Sequence, residues 1–336
     1  MLSERNQSFY REKTIMAVTK HRLGRTTLDV PPLTFGGNVF GWTVDEKSAF
    51  NLLDALLAHG LNFIDTADVY STWVSGNHGG ESETVIGNWL KRSGKRNETV
   101  IATKVGKPMG DGKTGLSARY ITQAVEDSLR RLQTDYIDLY QAHEDDLSTP
   151  LEETLKAFDD LVKAGKVRFI GASNYSAARF AQALEISEQH GFVRYDTLQP
   201  EYNLYDRAGY ELELEPLAIK NDIAVINYYA LASGFLSGKY RLASDASQSA
   251  RGKNVVANYL NQRGLDILKA LDRVAGRYEV SEAQVALAWL MARPSISAPI
   301  VSATSIEQID ELTQAMQLKL SKEDILLLDD ASAYPD

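Results

Sequence analysis

Four residues whose chemistry differs sharply from their surroundings stand where short apolar runs end. In FIDTADVYSTW, residues 63–73, Asp65 breaks an apolar run and Tyr70 follows five positions later; Lys104 closes VIATK and His143 closes YIDLYQAH. Alone, each has an ordinary explanation: a strand-end Asp as a helix cap or turn residue, a Lys as a solvated charge, a His as a structural group. On one face of one fold they make a proton-transfer set. A free tyrosine, with a pKa of about 10, exchanges protons poorly near neutrality unless a cation favours its anion. An ammonium about 4 Å away, at an effective dielectric near 20, contributes about 4 kcal/mol, which predicts a pKa lowered by about two to three units. In that arrangement Asp65 keeps Lys104 charged despite burial, a neutral His143 hydrogen-bonds a substrate carbonyl oxygen, and Tyr70 is a general acid.

Bringing the four together requires a fold that gathers strand ends. Helical patterns alternate with short apolar runs along the chain: AFNLLDALLAHG precedes LNFID, ETVIGNWLKRSG precedes TVIATK, ARYITQAVEDSLRRL precedes YIDLYQAH, and LEETLKAFDDLVKAG precedes VRFIGAS. The order continues through DTLQPEYN, IAVINYY and SAPIVSA, and with LTFGGN at the front it amounts to eight strands. Strands buried on both faces and joined by helices imply a parallel sheet, and eight such units predict an α/β (β/α)8 barrel. The alternative, a doubly wound open sheet, ordinarily carries G-x-G-x-x-G after its first strand, and FGGNVFG is not that motif. In a barrel the chemistry lies at the C-terminal ends of the strands. Those ends supply Gly37 and Asn38, Asp65, Lys104, His143, Ser173 and Asn174, Gln199, Glu201 and Tyr202, Tyr228, and Ala303 to Ser305.

Two segments fall outside the repeat. Residues 1–15 read as a polar, flexible extension, with Met16 as the natural start and residues 16–336 as one barrel domain. Within MAVTKHRLGRTTLDVPPLTFGG two short strand-like pieces flank Gly24 to Thr27, which predicts a hairpin capping the barrel bottom. Residues 233–262 read as a long loop after the seventh strand, of a length that is usually functional.

Composition narrows the classes. With 336 residues, 44% of them hydrophobic, the chain has material for a large core, and without cysteine it has neither disulfides nor thiolate metal ligands. A net charge of −9 argues against nucleic acid or an anionic membrane as partner, and no signal or membrane-spanning run is present, so the expectation is a cytoplasmic protein. VGKPMGDGKTG lacks the first glycine of a P-loop, and His143-Glu144-Asp145-Asp146 lacks a second spaced histidine, so no metal is expected.

These residues resemble the aldo-keto reductases, including the potassium-channel β subunits, from about Met16 to Tyr334. The likeness rests on GLNFIDTADVY, GGESETVIGNWL, VIATKVG, YIDLYQAH, TPLEETLKAFDDLVKAGKVRFIGASNYS, LQPEYNLYDR, LASGFLSGKY and SATSIEQIDEL. It implies hydride transfer from a reduced nicotinamide to an aldehyde or ketone, with Asp65, Tyr70, Lys104 and His143 as the catalytic tetrad. It also implies a nicotinamide site at Ser173, Asn174, Gln199 and Tyr228, beside Gly37 and Asn38. A pyrophosphate loop would involve Leu231, Ala232, Gly234, Leu236, Gly238 and Lys239, and adenosine contacts would come from Thr304, Gln308 and Glu311. One route to the 2′-phosphate of NADP is missing, because Ala303 and Ile309 stand where some relatives have Lys and Arg, and Leu312 replaces a frequent Asn. Lys239, Arg241 and Arg251 offer another, so NADP(H) is favoured over NAD(H), with Arg251 expected on the 2′-phosphate. Trp42, Trp73 and Tyr202 are expected to build an aromatic wall for a small carbonyl substrate, with Asn77 or His78 meeting its polar groups. Homo-oligomers are compatible with the resemblance. The alternatives are a cofactor-binding regulatory subunit with little turnover, and an isomerase or lyase with no net redox change.

Overall fold

The computed structural model describes residues 18–334. The expectations for residues 1–15 and for Met16 lie outside the described residues. Eight parallel strands form one sheet: β1 Thr34–Gly36, β2 Phe63–Asp65, β3 Val100–Val105, β4 Ile137–Ala142, β5 Val167–Ser173, β6 Tyr195–Gln199, β7 Ala224–Val225 and β8 Ile300–Val301. From β1 to β7 each pairs with the next in sequence, and β8 pairs back onto β1 through Ile300 opposite Thr34. The Ile300 N–H donates to the Asn227 carbonyl at 2.8 Å and Ser297 N–H to Val225 at 2.8 Å, which joins the seventh strand to the eighth and closes the barrel.

Every residue of β3 and β4 is buried, the pattern of strands covered on both faces. The covering helices are α1 Glu46–Ala58, α2 Glu81–Ser93, α3 Ala118–Leu132, α4 Leu151–Lys163, α5 Ala177–His190, α6 Leu214–Lys220, α7 Glu282–Met291 and α8 Ile306–Ala315. Their inward stripes follow helical spacing: α3 buries Ile121, Ala124, Val125, Ser128, Leu129 and Leu132. Serine caps start α3, α5, α7 and α8, as Ser117, Ser176, Ser281 and Ser305 accept backbone N–H groups of their first turns. Helix α2 lies so close to α3 that a Cβ on Gly87 would sit 2.0 Å from the Arg131 carbonyl oxygen.

The expected hairpin pairs His21–Arg22 with Asp29–Val30. Its Leu23, Leu28 and Val30 pack with Phe63, Val100, Leu139, Ala224 and Ala298, which plugs the barrel at the end opposite to Asp65 and His143. Gly24 turns the chain there at φ +52°, and a Cβ on it would be 3.0 Å from that of Ala224. The long connection after β7 differs from the structureless reading. It holds short 3-10 turns at Ala232–Ser237 and Ala243–Ser247, then helices Gly252–Tyr259 and Gln262–Tyr278. Val255 and Tyr259 supply a buried stripe, and Tyr259 packs against Phe235 and Tyr205 with ring centroids 5.6 and 4.9 Å apart. Among the described residues no helix is long and apolar enough to cross a membrane.

Candidate active site

The C-terminal ends of β2, β3 and β4 converge on one another. Lys104, completely buried, donates from Nζ to Asp65 Oδ2 at 2.5 Å, to the Thr66 carbonyl at 2.8 Å and to the Tyr70 hydroxyl at 2.9 Å. The Tyr70 hydroxyl in turn donates to Asp65 Oδ2 at 3.4 Å, and the His143 ring stands 6.0 Å from the tyrosine ring. Tyr70 reaches the barrel axis because the loop after β2 turns back at Ser71, which takes φ +73° and donates its hydroxyl to the Phe40 carbonyl.

Charge in this cluster does not follow the two-body expectation. Burial and the Asp65 carboxylate push the Tyr70 hydroxyl well above the usual range for a phenol, although a cation lies 2.9 Å away. The expected lowering is thus overturned: Asp65 holds the ammonium, but it also faces the phenol. Burial draws the Lys104 ammonium down, while Asp65 holds it up. Burial, reinforced by Lys104 and Lys107, keeps His143 well below its ordinary value and therefore neutral, and its Nδ1 has no hydrogen-bond partner among the described residues.

Gln141 was not singled out from the sequence. Its Nε2 donates to Asp65 Oδ1 at 3.2 Å, and Gln199 Nε2 donates to the same oxygen at 3.0 Å. The alternation of a strand was the available signal, since Gln141 lies two residues before His143 and shares its inward face.

Other expected residues gather around this centre. Ser173 donates to the Gln199 carbonyl at 2.8 Å; Asn174, at φ +56°, donates to the His143 carbonyl and accepts from the Tyr228 hydroxyl, both at 2.8 Å. Gly37 is buried beside Ser82, and Asn38 accepts from Ser302 Oγ at 2.7 Å. After β7, Ala232, Ser233 and Gly234 take φ values of 47°, 56° and 96°, and Gly238 takes 76°. The N–H groups of Ala232, Gly234, Leu236 and Gly238 donate to the Tyr229, Leu231, Leu231 and Phe235 carbonyls at 2.7, 2.8, 3.1 and 3.1 Å, so the tight turn is held by its own backbone. Ala232 and Leu236 are buried, and Leu231 is partly exposed. The Lys239 ammonium lies 3.6 Å from where a Gly234 Cβ would be, with no salt bridge among the described residues. With the Lys239 ammonium against the turn, the loop carries a cation suited to an anionic group. At the start of α8, Gln308 folds back to accept from the Thr304 N–H at 2.7 Å, and Glu311 accepts from Ser281.

The cations of the connection part company. Arg241 forks onto Asp272 at 2.8 and 2.5 Å and reaches Glu282 at 3.3 Å. Arg251 instead lies over the Trp42 ring, 4.8 Å from its centroid. Trp42 meets Trp73 edge to face at 5.6 Å, and Trp73 stands 6.1 Å from Tyr70.

Tyr202 does not belong to this wall. It is completely buried against Tyr210 and Trp289, at 4.8 and 5.6 Å, and its hydroxyl donates to Glu211 at 2.6 Å. Position after a strand end does not fix side-chain direction, and here the apolar packing prevails. Asn77 is also spent internally, donating to the Gly41 and Ser71 carbonyls at 3.0 and 3.1 Å.

A closed parallel barrel with a buried Asp-Lys pair on a tyrosine, beside a neutral histidine, defines a class of barrel oxidoreductases. The family model described as Aldo/keto reductase family matches residues 32–333, and the chain belongs to that family. It is 36% identical over 320 residues to "Uncharacterized oxidoreductase YrpG" of Bacillus subtilis, covering 93% of this chain and 95% of that one. "Probable voltage-gated potassium channel subunit beta" of Arabidopsis thaliana is 34% identical over 307 residues, 88% of this chain and 90% of its own. "Protein tas" of Escherichia coli is 31% identical over 333 residues, 91% and 95% respectively. In general terms the chain is an NAD(P)H-dependent oxidoreductase.

Proposed function

We propose that the chain reduces an aldehyde or ketone to an alcohol, with Tyr70 as proton donor and NADP(H) preferred over NAD(H). The observation that carries the reading is the bonded path Asp65–Lys104–Tyr70, anchored in the barrel and opening at its mouth. When bound, the nicotinamide supplies the hydride. The protein's own groups do the rest. Ser173, Asn174, Gln199 and Tyr228 would hold the nicotinamide end, and the turn from Ala232 to Gly238 with Lys239 would hold the phosphates. Lys239 and Arg251 are the cations left for a 2′-phosphate, since Arg241 is neutralised by Asp272 and Glu282.

The raised pKa of Tyr70 suits a donor. The hydroxyl stays protonated until the substrate oxygen gains negative charge, and the tyrosinate left behind is met by the Lys104 ammonium at 2.9 Å. Neutral His143, facing the tyrosine ring, hydrogen-bonds the same substrate oxygen without competing for the proton.

The test is fluorescence titration with NADPH and NADH, then a panel of carbonyls with wild type and Tyr70→Phe. Micromolar NADPH binding, turnover, and its loss in Tyr70→Phe support the reading. Binding without turnover of any carbonyl favours a regulatory subunit, as the name of the Arabidopsis relative would allow. No nucleotide binding sinks both.

A further inference from the structure

Asp65 divides its two oxygens between different partners. Oδ2 belongs to the relay, with Lys104 at 2.5 Å and Tyr70 at 3.4 Å. Oδ1 accepts from Gln141 Nε2 at 3.2 Å and from Gln199 Nε2 at 3.0 Å. The two amides also meet each other, as Gln199 Nε2 donates to Gln141 Oε1 at 3.2 Å. The result is a closed ring of three hydrogen bonds whose side chains are all buried.

The ring fixes which way each amide points. An ionised carboxylate only accepts, so both glutamines must turn their nitrogens to Oδ1. Gln141 then has its oxygen left for Gln199, and Gln199 spends its N–H groups on Asp65 and on Gln141. What remains on Gln199 is Oε1, which has no donor among the described residues. Turning that amide over would set Oε1 against Asp65 Oδ1 and Gln141 Oε1 together, acceptors with no proton between them. Asp65 alone would oppose the turn, and Gln141 adds a second opposing contact. Gln141 is itself completely buried, so it acts on a ligand through Gln199.

We propose that Gln141 is a positioning residue for the cofactor: with Asp65 it holds Gln199 as an acceptor only, so that the site takes a ring carrying a carboxamide and rejects the same cofactor carrying a carboxylate. The carboxamide has N–H groups to give Gln199 Oε1, whereas a carboxylate has none. This deepens the reductase reading and rests on its placing of Gln199 at the nicotinamide end. It also joins the two halves of the site, because the amide that meets the cofactor and the ammonium that meets Tyr70 share one carboxylate.

Calorimetric titration with three nucleotides tests it: NADP+, its analogue with nicotinic acid in place of nicotinamide, and 2′-phospho-ADP-ribose, which lacks the ring. Wild type should bind NADP+ at least about tenfold tighter than the nicotinic acid analogue. Gln141→Met keeps the length of the side chain and removes its polar end. It should narrow that ratio at least about fivefold and leave the affinity for 2′-phospho-ADP-ribose as in wild type, whereas damage to packing would weaken all three nucleotides together. Gln141→Glu should keep most of the ratio, because a second carboxyl beside Asp65 holds a proton and can then both donate to Asp65 and accept from Gln199. A Gln141→Met protein with the wild-type ratio overturns the proposal, and so does a Gln141→Glu protein that narrows it as far as Gln141→Met. Equal binding of NADP+ and the analogue by wild type overturns it without any variant. A preference that depends on Gln141, found in a protein that reduces no carbonyl with NADPH, upholds the proposal and removes the reductase reading instead; a wild type that binds none of the three nucleotides removes both.

Discussion

Replacing Lys104 by methionine removes one charge from the centre of the site while nearly preserving the length of the side chain. In the wild type the ammonium lies 2.9 Å from the Tyr70 oxygen and 2.5 Å from Asp65 Oδ2. At an effective dielectric near 20, a unit charge at that distance from a full tyrosinate contributes about 6 kcal/mol, and a half-transferred proton realises about 3 kcal/mol of it. At about 1.4 kcal/mol per factor of ten, Lys104→Met should lose about a hundredfold in kcat/KM for 4-nitrobenzaldehyde. Asp65 adds to the loss at neutral pH, because its carboxylate, 3.4 Å from the phenol, then opposes the tyrosinate with no cation between.

Stability answers separately. Breaking a buried pair by removing one partner costs about 3 to 5 kcal/mol. Asp65 retains the Gln141 and Gln199 amides on its other oxygen, so the low end of that range is expected, read as a lower urea midpoint. The assay is steady-state reduction with NADPH, accompanied by a fluorescence Kd for the cofactor and a melt. A folded, NADPH-binding Lys104→Met protein that kept more than about a third of wild-type kcat/KM would falsify the claim that the ammonium carries the developing tyrosinate.

Further tests concern pH and packing. Because His143 is held well below 6.5, its imidazole resonance should not titrate between about pH 6 and 8; the unfolded chain takes a proton that the folded chain refuses, so its contribution is present above 6.5 and is lost as pH falls below it. Glu201 has the opposite sign: burial and Asp206 raise it from 4.5 to about 7, so the folded chain keeps a proton the unfolded chain has released. Stability therefore falls as pH rises from 4.5 to about 7, and Glu201→Gln should flatten that slope in urea midpoints measured across the window. Gly87→Ala gains about 1 kcal/mol of helix propensity but forces a methyl to 2.0 Å from the Arg131 carbonyl, and the repacking should cost about 3 kcal/mol, for a net loss of about 2 kcal/mol. An unchanged urea midpoint would mean that α2 and α3 do not approach as closely as described.

What the chain discloses before folding depends on how many partners a property needs. Each barrel strand was legible because an apolar run between a helix and a polar end is a local pattern, and the hairpin was legible from two short runs about Gly24. The helix Gly252–Tyr259 was not, because its buried stripe rests on Val255 and Tyr259, and Tyr259 becomes core only beside Phe235. Tyr202 was misread because its position after β6 is written in the sequence, while Glu211, which captures its hydroxyl, arrives from a separate short helix. The sign of the Tyr70 shift failed for the deepest reason. A sequence argument gives each charge one partner, Lys104 to Tyr70 and Asp65 to Lys104. The barrel gives Asp65 four: Lys104, Tyr70, Gln141 and Gln199. The cation is offset by the anion that holds it, and burial of the phenol then decides the direction. The tyrosine is therefore kept as an acid in the ground state, and the ammonium acts chiefly once the proton has begun to leave.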